Sequence, residues 1–340
     1  MTLPILYMVI PCYNEEEALP ITTPVLVELL EGLERDKLVS ADSRIVLVDD
    51  GSRDDTWQQI EKARSAHPAI CGLKLARNAG HQKALLAGLM YAKEHADCIV
   101  SLDADLQDDT GAIREFVLKF HEGYEVVYGV RNSRATDTWF KRWSAESFYK
   151  LMRKMGIPLV YNHADYRLMS RRAVEHLSEF QEVNLFLRGI VPLIGFRSTT
   201  VSYDRMERVA GESKYPLGKM LSFAWDGITS FSIKPMRLVT TLGFISLGAS
   251  IAAGGYTLVS KLTGHTVSGW ASLMFSVWFI GSIQLLALGV IGEYIGKIYN
   301  EVKRRPPYIV ETVLSDKNVS KDEVKPSWPG AKSDAQGWSH

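Results

Sequence analysis

The sequence predicts an α/β protein with a mostly parallel sheet, followed by two transmembrane helices. Three observations carry this. Short apolar runs alternate with helical segments over about the first 130 residues, the pattern of strands joined by covering helices. Polar clusters at 11–15, 49–55, 77–83 and 103–108 each follow a strand-like run. They therefore gather beyond the carboxyl ends of the strands, where open α/β sheets bind ligands. Two long apolar segments, 238–260 and 271–296, each exceed the roughly 20 residues a bilayer requires.

In chain order, Ile5–Ile10 is an apolar strand closed by Pro11, and Glu15–Leu33 reads as a helix. Arg44–Val48 is a buried strand ending in Asp49-Asp50-Gly51-Ser52. Asp54 or Asp55 caps the next helix, whose body runs to about Ala66. Ile70–Leu75 is a third strand. Ala79–His95 is a helix with Leu85, Leu86, Leu89 and Ala92 on one face. Cys98–Leu102 is a fourth strand, Gly111–His121 a helix and Glu125–Gly129 a fifth strand. Thr138–Met155 reads as an amphipathic helix, His163–Ser170 as an edge strand and Val209–Pro216 as a polar loop. Leu217–Ile233 fits both a membrane-interface helix and a core helix. Beyond Leu314 the chain is polar and reads as a disordered tail. The expected organisation is a cytosolic catalytic domain over 1–212, an interfacial segment over 213–236, a transmembrane hairpin over 237–298 and a cytosolic tail over 299–340, disordered beyond about 315.

Charge and cysteine content narrow the classes. The 39 Lys and Arg residues balance 39 Asp and Glu, so nothing global recruits nucleic acid. Three cysteines form neither a metal-like pair nor an even disulfide set, which suits a reducing compartment. The N-terminus shows no signal-peptide pattern, so the catalytic part is expected in the cytosol. Lys234 and Arg237 precede the first span, and Lys297, Lys303, Arg304 and Arg305 follow the second; the connecting loop has only Lys261 and His265. The positive-inside rule then puts both ends in the cytosol. Gly292 with Gly296, and Gly248 with Ala252, form small-residue pairs that let helices approach closely, within the chain or in an oligomer. No Gly-x-Gly-x-x-Gly follows a strand and no P-loop occurs, which disfavours a dinucleotide or ATPase site.

The candidate chemistry lies in the strand-end loops. Asp103 and Asp105, two apart, can share a hard cation, with Gln107 adding an amide oxygen. Mg²⁺ or Mn²⁺ there would neutralise a diphosphate leaving group; the plainer reading is a polar loop capping the helix near Thr110. Asp49 and Asp50 can accept from a base N–H or a ribose hydroxyl, or simply satisfy a turn. Arg77-Asn78-Ala79-Gly80-His81-Gln82-Lys83 opens a helix whose N–H groups, with Lys83, can face phosphate. Arg131, Arg134, Lys141 and Arg142 form a basic cluster suited to phosphate or to a solvated helix face. Arg205, Arg208 and Lys214 form another, suited to a lipid phosphate or to anionic headgroups. Asp165 is a catalytic base or the partner of Arg167 or Arg171. An acceptor phosphate is already anionic and needs no strong base, in which case Asp165 orients the acceptor or a metal. Together with the apolar segments, these loops suggest an enzyme moving a group from a soluble nucleotide to a membrane-bound acceptor.

The spaced motifs Val9-Ile10-Pro11-Cys12-Tyr13-Asn14-Glu15, Val48-Asp49-Asp50-Gly51-Ser52, Arg77-Asn78 through Lys83, and Asp103-Ala104-Asp105-Leu106-Gln107-Asp108 resemble the inverting family 2 glycosyltransferases of GT-A fold, from residue 5 to about 235. With the two spans, the chain is similar to the polyprenyl-phosphate group, which includes GtrB-type bactoprenol glucosyltransferases and dolichol-phosphate mannose synthases. The resemblance implies a nucleotide-sugar donor and a polyprenyl phosphate acceptor. Pro11, Tyr13, Glu15, Asp50, Asn78, Lys83, Asp103 and Ala104 would bind the nucleotide sugar. Asp103, Asp105 and Gln107 would hold Mg²⁺ or Mn²⁺, and Asp165 and Asp105 would be catalytic. Arg131, Arg142, Arg208 and Lys214 would steer the lipid phosphate. UDP-glucose is the favoured donor, with UDP-N-acetylglucosamine, GDP-mannose and an aminoarabinose donor as alternatives. The chain has no Gln-x-x-Arg-Trp motif of processive synthases, which favours a single transfer. A tetramer in the cytoplasmic membrane is the implied assembly. The rival from another class is a non-catalytic, membrane-anchored nucleotide-sugar-binding module.

Overall fold

The computed structural model describes residues 2–132, 163–180, 182, 187–204, 229, 234–263 and 269–315. The chain divides into two compact units. One comprises 1–150, 158–215 and 305–340; the other comprises 151–157 and 216–304.

The first unit is built on strands β1 (Leu6–Cys12), β2 (Arg44–Asp49), β3 (Ile70–Leu75), β4 (Cys98–Ser101), β5 (Val126–Arg131), β6 (His163–Ser170), β7 (Ser198–Tyr203) and β8 (Val310–Leu314). They form one sheet in the order β7-β5-β6-β4-β1-β2-β3-β8. β1 pairs in parallel with β2 and β4, β2 with β3, and β5 with β7. β6 runs antiparallel to both β4 and β5, and β8 antiparallel to β3. The helices are α1 (Leu19–Arg35), α2 (Thr56–Ala66), α3 (His81–Ala92), α4 (Ala112–His121), α5 (Arg171–Leu177) and the single turn α6 (Leu187–Ile190).

β1 is buried along its whole length, as a central strand covered on both faces must be. It continues through Pro11, past the expected end at Ile10. Val9 O accepts from Leu102 N on the β4 side, and β4 ends at Ser101. Pro11 therefore turns its missing donor toward a side where the ladder has stopped. α1 starts at Leu19 rather than Glu15, with a proline in its first turn. Glu15 N is instead tied to Thr56 Oγ1 at 2.8 Å. α3 packs directly on the sheet through Gly88, where an added Cβ would collide with Val9 and approach Val48 Cγ2 to 2.8 Å.

Three strands correct the sequence reading. β6, expected at an edge, lies inside the sheet between β5 and β4. Its charged Asp165 and Arg167 are both buried, paired with each other. β7 and β8 were not anticipated. β7 is mostly polar and β8 mixes apolar with polar residues, and neither has a continuous apolar run. β8 falls in the stretch read as tail.

In the second unit, α7 (Lys234–Leu262) and α8 (Trp270–Lys303) are helices that contain the two apolar segments, 238–260 and 271–296. Among the described residues one stretch, Phe279–Lys303, is long and apolar enough to cross a membrane, with a mean hydropathy of 1.5. The helix expected over 138–155, the loop over 209–216, most of the 217–233 segment, and Arg142, Arg208 and Lys214 lie outside the described residues, as does everything beyond 315.

Candidate active site

The carboxyl ends of β1, β2, β3 and β4 deliver the loops that carry the candidate residues. The β2 and β3 loops are joined by Asp50, whose two oxygens accept from Ala79 N at 2.7 Å and Gly80 N at 2.9 Å. Gly51 (φ 64°) lies so close to the Arg77 and Asn78 backbone that a Cβ would strike it. Asp50 thus shapes the pocket and fixes the start of α3. Burial pushes its carboxyl up, and the two N–H donors pull it back. Its neighbour Asp49 is buried, with Oδ1 accepting from Ser52 N and Oδ2 without a hydrogen-bond partner. That oxygen is the more available acceptor of the two carboxylates.

Pro11 is buried at the end of β1, Tyr13 and Asn78 are exposed, and Glu15 and Lys83 are half-buried. Lys83 lies in the first turn of α3. The β4 loop is held from below by Thr22 Oγ1 donating to Ala104 O at 2.7 Å, while Gln107 N donates to Asp105 Oδ1 at 3.2 Å. Between them Leu106 adopts φ 50°, a left-handed conformation costing about 1–3 kcal/mol for a residue with a Cβ. Asp103, Asp105 and Gln107 are half-exposed at the carboxyl end of the sheet.

Asp103 faces His81, its Oδ1 3.6 Å from Nε2. Removal from water raises the Asp103 carboxyl to about 6; Asp165, Asp108 and Asp105 push the same way and His81 opposes them. Of these carboxylates, Asp108 and Asp165 are paired with arginines. Among the described residues no group of three or more His, Cys, Asp or Glu has metal-holding geometry. One or two carboxylates completed by water and substrate phosphate is, however, the usual provision for Mg²⁺. Asp103 and Asp105 fit that need.

Three arginines are held near this loop by two buried aspartates, Asp108 and Asp165. Arg131, at the end of β5, donates to Asp108 Oδ1 at 3.1 Å and to Tyr203 OH at 3.3 Å; Tyr203 OH donates to the same Asp108 oxygen at 2.5 Å. Asp165 Oδ1 accepts from Arg167 Nη2 at 2.6 Å and Arg188 Nε at 3.2 Å, and its Oδ2 accepts from Arg188 Nη2 at 3.0 Å. Burial pushes the Asp165 carboxyl up, but the Arg188 and Arg167 guanidiniums, with His81, more than reverse this and hold it well below the usual carboxylate range. Of the two bland partners suggested by sequence, Arg167 is present, whereas Arg171 bonds to Asp97 and Ala96 O. The sequence reading assigned no roles to His81, Asp108, Arg188 and Tyr203. His81 and Asp108 stood within noted motifs. Arg188 and Tyr203 reach the site through α6 and β7, with no local signal.

The structure therefore brings acid loop, helix start and flanking guanidiniums together at the strand ends of an α/β sheet. This is the layout of a transferase that handles a nucleotide-activated group. Residues 7–178 match glycosyl transferase family 2, and residues 234–298 match the GtrB C-terminal hairpin. The chain belongs to glycosyl transferase family 2 and is of GtrB type. It is 56% identical to the uncharacterized glycosyltransferase YkoT of Bacillus subtilis, covering 93% of this chain and 94% of that protein. It is 40% identical to the SfII prophage-derived bactoprenol glucosyl transferase of Shigella flexneri, covering 89% and 96%. Among solved structures it resembles mannosyl-3-phosphoglycerate synthase from Rubrobacter xylanophilus, with a TM-score of 0.46, 14% identity and coverage of 71% and 75%.

Proposed function

We propose that this protein transfers one glucosyl unit from UDP-glucose to undecaprenyl phosphate at the cytosolic face of the membrane. The observation that carries the reading is the Asp103–Asp105 loop with Arg131 close by, in a chain that also has an apolar hairpin. Bactoprenol glucosyl transferases similar over most of the chain support this acceptor and sugar.

Asp103 and Asp105 would hold Mg²⁺ or Mn²⁺, with Gln107 beside them. A bound divalent ion supplies neutralisation of the diphosphate charge as the anomeric bond breaks. Tyr13 and Glu15 contribute to the nucleoside side of the pocket, with the buried Asp49 oxygen as acceptor and Asp50 fixing the walls. Asn78 and Lys83 lie at the α3 start on the phosphate side. Arg131, with Arg142, Arg208 and Lys214, steers the lipid phosphate. A phosphate oxygen of the acceptor attacks the anomeric carbon from the face opposite the diphosphate, and configuration inverts in one displacement. The acceptor is already ionised near neutral pH, so no base must remove a proton from it. Asp165, already bonded to two guanidiniums, serves by orientation.

Membrane attachment follows from α7 and α8. Leu285, Leu286, Leu288, Ile295 and Ile298 are all at least 60% exposed along α8, and Leu238, Phe244 and Ile245 similarly along α7. Apolar surface of that extent is stable in lipid and a liability in water. We take both helices as spans, with the cationic ends in the cytosol.

The test uses purified protein in detergent with undecaprenyl phosphate and Mg²⁺ or Mn²⁺. UDP-glucose, UDP-N-acetylglucosamine and GDP-mannose are offered separately, and glycolipid is read by thin-layer chromatography and mass. Product from UDP-glucose alone is expected. Product from another donor alone corrects the sugar, and none from any donor removes the reading.

A further inference from the structure

Two buried tyrosines hold the far end of the acid loop. Tyr203, the last residue of β7, donates from its OH to Asp108 Oδ1 at 2.5 Å, and Tyr166 of β6 donates to the Asp109 carbonyl at 2.8 Å. Both rings are confined. Their centroids lie 5.2 Å apart with planes at 88°, and Phe116 packs on Tyr166 at 4.8 Å. A Cβ added at Gly129 would come within 2.9 Å of Tyr166 and 3.0 Å of the Tyr203 ring. Asp108, in the same loop as Asp103 and Asp105, is therefore anchored by groups that cannot easily shift.

Ion pairing alone does not require this. Asp108, 5% exposed, pairs with Arg131 at 3.1 Å, and a buried pair of this kind returns little net stability. Tyr203 adds geometry instead. Its OH also accepts from Arg131 Nε at 3.3 Å, so the planar guanidinium is met through two of its nitrogens and its plane is set. The backbone repeats the tie: Arg131 and Tyr203 are paired in register, and Asn132 N donates to Tyr203 O at 2.9 Å. The acid loop, the end of β5 and the end of β7 thus meet at Asp108. Beyond that point the chain runs from Arg131 to Arg134, Lys141 and Arg142, and from Tyr203 to Arg205, Arg208 and Lys214. Both basic stretches leave from one knot, and the knot is bonded to the loop that carries Asp103 and Asp105.

We infer that Asp108 and Tyr203 are positioning residues of the transfer site. They hold the Arg131 guanidinium in register with the acid loop, so that an acceptor phosphate met by Arg131 is presented to a donor held at Asp103 and Asp105. Both act through Arg131. The inference rests on the proposed transfer reaction and deepens it.

Two conservative variants test it. Tyr203→Phe keeps the ring and removes only the hydroxyl, and Asp108→Asn keeps the volume and removes the charge. Each is measured in the full chain in detergent, alone and combined with Arg131→Ala. The readouts are KM and kcat for UDP-glucose and undecaprenyl phosphate, calorimetric titration of UDP with Mn²⁺, and melting temperature. Loss of one hydrogen bond to a charged group should lower kcat/KM for the lipid by about tenfold or more, with UDP affinity and KM for UDP-glucose unchanged. In the Arg131→Ala background the same substitutions should have no further effect, because the group they position is gone. Effects that multiply with Arg131→Ala show independent action and overturn the inference. So does a fall in UDP affinity that matches the fall in lipid kcat/KM, as a merely structural role would give. Unchanged lipid kinetics in Arg131→Ala, or in both conservative variants, overturn it too. Should one conservative variant fail to fold, the other decides. Wild-type protein that transfers no sugar overturns the proposed reaction and the inference with it, whereas wild-type transfer with multiplying effects overturns the inference alone.

Discussion

Asp103 sets the pH behaviour of the acid loop. Its carboxyl is raised to about 6 in the folded protein, so the ionised form is the disfavoured one there. Its contribution to stability is present at low pH and is lost as pH rises from the ordinary carboxylate range through about 6. A divalent cation must displace that proton. Affinity for Mn²⁺ should therefore fall as pH drops through this value, and binding should release protons. Calorimetry below and above it, in buffers of different ionisation enthalpy, checks this; an affinity flat with pH contradicts it. Asp105→Ala should lower kcat by about a thousandfold or more while leaving the melting temperature nearly unchanged. Normal transfer by that variant would remove the loop from the mechanism. Asp103 and Asp105 were legible in sequence because two acids spaced by one residue follow a buried apolar strand. Arg188 was not: its partner Asp165 lies 23 positions away, and only the packing of α6 against β6 brings them together.

Among the elements, α3 and β1 show how local composition carries the fold. Both strand and helix were readable from apolar runs and their Gly and Pro boundaries. Gly88 adds a constraint that no periodicity reveals, since α3 approaches β1 and β2 to the limit allowed without a Cβ. Gly88→Ala should destabilise the protein by about 1–3 kcal/mol, the usual cost of overpacking, despite the better helix propensity of alanine. Thermal or denaturant unfolding measures this, and a rise in stability would show that the helix can shift outward. β6, expected at an edge, lies between β5 and β4 although it carries charge. Here Asp165 and Arg167 satisfy each other inside the sheet. β7 and β8 were missed because both are short, partly exposed and without a continuous apolar run.

For the whole molecule, the decisive property is the pairing of a soluble sheet with an apolar hairpin. The proposed topology places the α7–α8 connection outside and the sheet inside. A cysteine introduced at Thr263 should react with an impermeant thiol reagent in intact cells, and one introduced at Ser315 only after the membrane is opened. The native Cys12, Cys71 and Cys98 are all buried, so background labelling should be low. The opposite pattern would invert the topology. Hydropathy along the chain made the hairpin legible, whereas the return of the chain to the sheet beyond it depends on an edge pairing between β3 and β8.

That return bears on how the protein is made. Synthesis proceeds from the N-terminus, so β8 leaves the ribosome only after both helices of the hairpin. Until then β3 presents an open edge able to pair with another chain. Completion of the sheet is therefore a late event, and a chain terminated ahead of Val310 would carry that open edge permanently. Adding the hairpin-free sequence of β8 back as a peptide would be the direct way to close it.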